Sequence, residues 1–256
     1  MSRRWLLTCF LLGLGVPIPA GEASDLDGFR VAQVSAGGRV PARPNASMVL
    51  AQEVRYRTFV EVRLDRVVVP LASDALYQYP FLLWVGDGAL PSLSPEERDH
   101  LRTFLQLGGF LLVDNAGEGP AREAFERSFR EEFRRLLPGT DLRPIPPTHV
   151  IFRSFYRLAS VAGRWDLRPY LEGAVLGDRV AVVYSHNDLS GAWSRDGFGR
   201  WEFETVPGGA VQREEAIRLG VNLALYALLL DYKDEQAHVE GLLNRRRLPP
   251  VPLQGP

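Results

Sequence analysis

Residues 79–115 read YPFLLWVGDGALPSLSPEERDHLRTFLQLGGFLLVDN, and this stretch decides the fold. Residues 80–85 form a continuous apolar run, as expected of a parallel strand buried on both faces. Ser94-Pro95-Glu96-Glu97 follows. It combines a capping serine, proline at the first helical position and glutamate three residues after the cap, so a helix starts there. Leu101, Phe104, Leu105 and Leu107 supply its apolar stripe. Gly108-Gly109 stops it, because glycine takes left-handed backbone freely. Residues 110–113 (FLLV) then enter a second buried strand at once. Strand, helix and strand in this order make a βαβ unit, which implies a parallel sheet.

Outward from this unit the pattern continues. Residues 29–34 alternate apolar and polar, as a first strand should. Asn45 stands where it can cap a helix over residues 46–56. Residues 60–64 and 67–70 are short strand-like runs, and residues 74–77 make a turn. Residues 121–137 carry Phe125, Phe129 and Phe133 every fourth residue among Glu and Arg, an amphipathic helix whose aromatic stripe faces a core. Residues 142–147 are proline-rich and extended. Residues 173–184 read as two strands around a Gly177-Asp178 turn. Residues 185–209, rich in Gly, Trp and polar groups, read as a long surface loop. The longest helix spans 214–230, and residues 224–230 are apolar all round.

The expected fold is therefore α/β, three-layer αβα with a mainly parallel, flavodoxin-like sheet in a single domain. The 256 residues, 46% hydrophobic and 24% charged, suit that size. With 30 basic and 31 acidic residues the chain lacks the basic excess of a nucleic-acid binder, so none is expected as partner.

The first residues differ from the rest. Arg3 and Arg4 precede an apolar stretch, residues 5–16, then Pro17, Pro19, Ala20 and Ala23. This is the layout of a secretory signal peptide over residues 1–23. Its apolar run is too short to span a hydrocarbon core of ~30 Å. Ser2-Arg3-Arg4-Trp5-Leu6-Leu7 also resembles a twin-arginine export motif. The α/β domain is then expected over residues 24–244, with a proline-rich tail over 245–256. Localisation is expected to be periplasmic or extracellular, without a membrane span in the mature chain. Cys9, the single cysteine, lies inside the signal, so the mature chain offers no thiolate.

Several segments, taken in order, resemble the bacterial family of domains of unknown function numbered 4159. They are residues 79–86, Leu93-Ser-Pro-Glu-Glu97, the run from Leu101 to Asp114, residues 147–156 (PTHVIFRSFY), residues 179–185 with Asp188, Leu189 and Trp193, and residues 220–227 (GVNLALYA). The resemblance implies a class I glutamine amidotransferase-like fold. It carries no activity to this chain. Glutaminase chemistry itself needs a cysteine nucleophile on the turn after a strand, and Asp114-Asn115 stand there instead. A G-x-S-x-G elbow is absent, and Ser185 with His186 beside it makes a poor dyad, because neighbouring side chains on an extended strand point apart.

Ligands in open parallel sheets bind beyond the carboxyl ends of the strands. The readable ends carry Asp87, Asp114 with Asn115, and Ser185 with Asp188. With His149 from the extended segment these are expected to line one polar cleft. The competing reading is that the aspartates cap helices or brace loops. Trp193, Phe198 and Trp201 supply a candidate aromatic patch. Asp87, Asp114, His149 and Asp188 are oxygen and imidazole donors, but no H-x-H, H-E-x-x-H or D-x-D spacing joins them. No metal and no cofactor is expected, since the Gly-rich nucleotide motifs are also missing. The leading expectation is a non-catalytic domain that binds a small ligand or an envelope protein. The alternative is an Asp/His-based periplasmic hydrolase, with or without a metal.

Overall fold

The computed structural model describes residues 28–245, with side chains over 28–230. The expected signal peptide over residues 1–23, and all but the first residue of the tail expected over 245–256, lie outside the described residues. The βαβ unit forms as its sequence dictates. Strand β3 (Phe81–Gly86) and strand β4 (Phe110–Asn115) are buried throughout and pair in parallel. Helix α2 (Pro95–Gln106) joins them, opened by a complete capping box in which Ser94 and Glu97 satisfy each other's backbone N–H.

Around this pair lie β1 (Val31–Ser35), α1 (Ala46–Arg57), β2 (Val67–Pro70), α3 (Pro120–Leu136), β5 (Arg143–Pro144), β6 (Glu172–Leu176), β7 (Arg179–Ser185), α4 (Leu189–Trp193) and α5 (Gly209–Arg245). One seven-stranded sheet results, in the order β2-β1-β3-β4-β7-β6-β5. The first five strands in that order are parallel; β6 runs antiparallel to β7, and β5 antiparallel to β6. The chain moves one way from β1 to β2 and the other way from β3 to β4. Right-handed crossovers then place α1 and α2 on opposite faces.

Strand alternation shows the same two faces. Phe81, Leu83, Val85, Phe110 and Leu112 pack with residues of α1, α4 and α5. Leu82, Trp84, Leu111 and Val113 pack with α2 and the Phe125, Phe129 and Phe133 stripe of α3. Three layers follow, helices over sheet over helices. Among the residues searched, no helix is long and apolar enough to cross a membrane.

Four local expectations are corrected. Residues 60–64 form no strand; Val62 makes only an isolated parallel bridge with Phe29. Asn45 does not cap α1, because its side-chain amide donates instead to the Arg195 carbonyl (3.1 Å). Residues 74–78 tighten into a 3-10 helix rather than a simple turn. Residues 185–194 are not surface loop. They are buried and contain α4, whose Leu189, Ala192 and Trp193 are spaced to face one core. Trp193 is wholly buried against Gly220 of α5. A Cβ at Gly220 would come within 2.5 Å of its ring, so only glycine admits this approach.

Candidate functional site

Strand alternation decides which helix layer each strand-end residue meets. Asp114 shares the face of Phe110 and Leu112, so its carboxylate enters the α4–α5 layer. There it receives three donors from the first turn of α4. The Leu189 N–H donates to Oδ1 (2.9 Å), and the N–H (2.7 Å) and hydroxyl of Ser190 donate to Oδ2. Asn115 points to the other face. Its amide donates to the Tyr184 hydroxyl (3.0 Å) and the Arg122 carbonyl (3.0 Å), and its oxygen accepts from Gly117 N–H (3.1 Å).

Asp188 precedes α4 with φ of 48° and ψ of 58°, the one non-glycine among the described residues at positive φ. Left-handed backbone is costly except for residues such as Asp and Asn, and here it aims the carboxylate back at its own helix. Oδ1 accepts from Gly191 N–H (3.0 Å) and from Arg43 Nε (3.3 Å). Oδ2 accepts from Arg43 Nη2 (2.9 Å) and Arg164 Nη1 (3.4 Å). Arg43 Nη2 also donates to the Ala116 carbonyl (3.3 Å). Both guanidinium groups lie against the Phe203 ring, at 4.1 and 4.7 Å from its centroid. Burial, with the Asp114 carboxylate next in importance, pushes the Asp188 carboxyl up to about 6 against the pull of Arg43 and Arg164.

Asp114 and Asp188 therefore converge, as the strand ends require. Both are 0% exposed, and every carboxylate oxygen already accepts a hydrogen bond. Asp87 lies on the same edge, exposed, within electrostatic reach of Arg43. Ser185 is buried there and accepts from Asn187 N–H (3.4 Å). Trp193 belongs to the core instead of a patch, whereas Phe198 is 87% exposed and Trp201 38%.

His149 does not join them. It caps a 3-10 turn, Val150–Arg153, with Nδ1 accepting from Ile151 N–H (3.3 Å). Its ring sits edge-on to Tyr226 (5.6 Å), whose hydroxyl accepts the Val180 N–H at the start of β7. It also shares a hollow of about 380 Å³ with Asp178 and Arg179 of the β6–β7 turn. At ~3.3 Å per residue, the five steps from Val180 to Ser185 separate the two ends of β7 by roughly 16 Å. His149 is thus at the opposite edge of the sheet. Burial, then the Arg153 charge, lowers its pKa.

The crevice where strand order reverses, between β1 and β3, is the usual ligand place in such sheets. Here the β1–α1 loop fills it. Arg39 Nη1 donates to the Ala89 carbonyl (2.9 Å), Gly37 N–H to Glu97 (2.8 Å), and Ala42 N–H to the Val85 carbonyl (3.3 Å). Gly37, at φ of 55°, presses on Pro91 so closely that a Cβ would clash at 2.3 Å.

Nothing in the sequence marks Arg43, Arg164 or Glu172 as members of this edge. His186, a poor partner for Ser185 beside it, has a different one: its Nε2 lies 3.0 Å from Glu172 Oε2, which also accepts from Arg130 Nη2 (2.6 Å). Burial opposes ionisation of Glu172, but the bonds from His186 and Arg130 hold its carboxyl below the usual range. A register shift between Ala174 and Val175 brings Glu172 opposite Tyr184. A one-residue slip exchanges faces, so the hairpin turn alone could not have located this contact. Among the described residues, no three His, Cys, Asp or Glu side chains gather as metal ligands.

No curated protein matches the chain. A family model described as "Domain of unknown function (DUF4159)" matches residues 30–228, from the first strand through most of the described part of α5. The match takes in β3, β4, β7, α4 and the whole edge just built, and the chain belongs to the DUF4159 family.

Proposed function

We propose that this chain is an exported binding domain, which takes a small ligand or an envelope partner at the carboxyl edge of β4 and β7. One observation carries the reading. The two aspartates best placed for acid–base chemistry are enclosed, and their oxygens are occupied by backbone N–H, hydroxyl and guanidinium donors. A general base must reach the proton it removes, and these carboxylates face inward. They act as a brace that orients α4, Arg43 and Arg164. The strand order is compatible with a relationship to the class I glutamine amidotransferase-like folds. The carboxyl end of β4 is then held by Asp114 and Asn115, without the thiol that glutaminase chemistry needs.

A second reading, hydrolysis, rests on the Glu172–His186 contact, which has the form of a base with its orienting carboxylate. Hydrogen exchange separates the two. A panel holding a neutral sugar, an amino acid, a dicarboxylate and a phosphate monoester should include a compound that slows exchange over residues 117–122 and 186–192 without being consumed. Turnover of an ester or phosphoester that disappears in His186→Ala would replace binding with hydrolysis. Export is supported by the basic, apolar and small-residue succession over residues 1–23. Intact mass from the native envelope should give a start near Gly21 or Ser24. A cytosolic chain retaining residues 5–16 would overturn export.

A further inference from the structure

Three N–H groups near that edge are buried without an acceptor: Arg122 Nε, Arg164 Nε and Trp165 Nε1. They belong to one neighbourhood. The Trp165 ring has the Arg164 guanidinium 4.6 Å and the Arg122 guanidinium 6.0 Å from its centroid. Two separate elements hold them there. Arg122 sits in the first turn of α3, with its carbonyl fixed by the Asn115 amide. Arg164 and Trp165 are strapped to the segment after β7, their N–H groups donating to the Asp188 and Asn187 carbonyls (3.0 Å each). The group thus flanks the ends of β4 and β7 from both sides.

The charges there are unevenly matched. Arg43 is committed to Asp188 in bidentate fashion. Arg164 gives one nitrogen, Nη1, to both Asp188 and Glu118. Among the described residues Arg122 makes no ion pair. Glu118 lies between Gly117 and Gly119 on the β4–α3 loop, with its side chain 59% exposed. The Arg164 hydrogen bond first, and then the charges of Arg164, Arg43 and Arg122, lower its pKa. A carboxylate from the chain's own loop therefore stands in the field of all three arginines while satisfying only one of them.

A buried donor without an acceptor is costly, and three together call for a group that only accepts. We propose that Arg122, Arg164 and the Trp165 indole form an oxyanion subsite, which takes a carboxylate or phosphate group of the ligand, with Glu118 the internal carboxylate that the ligand displaces. Guanidinium groups suit such anions because their planar fork matches two oxygens at once. The indole N–H adds a donor that cannot accept, which selects against ligand hydroxyl donors there. This inference rests on the binding reading above and names the chemistry of its site.

The test uses inorganic phosphate and succinate as probes, titrated against the full chain at constant ionic strength with chloride as the reference. Melting temperature and tryptophan fluorescence report binding. At least one probe should saturate. Saturation by phosphate alone identifies a phosphate ligand, and saturation by succinate a carboxylate. Arg122→Gln, which breaks no ion pair among the described residues and should keep its urea midpoint, should weaken binding about tenfold or more, as expected for loss of a charge-assisted contact. Trp165→Phe removes the indole N–H and should weaken it too. Glu118→Gln should strengthen it by removing the competitor. No saturation beyond chloride, or unchanged affinity in Arg122→Gln, overturns the subsite. A neutral ligand that protects residues 117–122 and 186–192 while neither anion binds would sink the subsite and leave the binding reading standing.

Discussion

Replacing Asp114 by asparagine tests whether the carboxylate is a brace. The side chain keeps its shape and loses its charge. In the native protein Leu189 N–H, Ser190 N–H and the Ser190 hydroxyl all donate to it. Asparagine offers one acceptor oxygen and one NH2. In either amide orientation at least one α4 backbone N–H faces that NH2 and loses its acceptor, at a cost of about 1–3 kcal/mol for a buried group. The bond that survives falls from charge-assisted to neutral, about 1 kcal/mol more. Relief of repulsion on Asp188 returns part of this. The net expectation is a loss of about 2–3 kcal/mol. At ~2–4 °C per kcal/mol for a domain of this size, melting should fall by ~4–12 °C. Urea titration and calorimetry measure it, with Ser190→Ala as a milder companion. A second readout is specific to the geometry. Carboxyl titration by NMR should place Asp188 below its native value of about 6, because the neighbouring charge is gone. A stability loss under about 0.5 kcal/mol, within the range of surface substitutions, together with an unmoved Asp188, would refute the brace.

Two further outcomes are expected. Leu112→Ala removes a wholly buried side chain from the centre of β4 and should cost about 2–5 kcal/mol in a denaturant titration; a loss below about 0.5 kcal/mol would mean that the strand is not packed on both faces. Asp188 titrates near 6 when folded, against an ordinary value of 3.8, so the folded state binds its proton more tightly than the unfolded chain. Its contribution to stability is therefore fullest below pH 4 and is lost as pH rises through about 6. Asp188→Asn, which tolerates the same left-handed backbone, should gain on the native protein between pH 4 and 7, by an amount on the order of 3 kcal/mol. Parallel pH profiles for the two proteins would contradict this.

The sheet was legible because its central strands are continuous apolar runs, bounded by a capping box and a glycine pair that act locally. The carboxyl edge was half legible. Topology alone brings Asp114, Ser185 and Asp188 together, since residues after parallel strands share an edge. Their role was not legible, because burial of residues 185–194 depends on Arg43, 145 positions earlier in the chain. A polar, glycine-containing stretch reads as surface until that partner is known. His149 was misplaced for a related reason. A proline-rich approach fixes no direction, and the Tyr226 contact that anchors it comes from α5. The contact between Glu172 and His186 was not legible because one register shift in the hairpin changed which side chains meet.

The sheet order also sets a timetable for synthesis. Strand β4 pairs with β7, and Val113 lies opposite Tyr184, 71 residues later. Until β7 emerges, the apolar β4 presents an unpaired edge, the kind that invites pairing with other chains. At ~5–20 residues per second this interval lasts roughly 4–14 s. The Arg43–Asp188 latch closes only after 145 residues, roughly 7–29 s. The nascent chain is thus most exposed to misassembly after β4 and before β7 leaves the ribosome. Chains arrested near residue 150 should be cut by protease within residues 110–115, whereas chains arrested well beyond residue 230 should resist; equal cleavage of both would show that β7 does not close this edge.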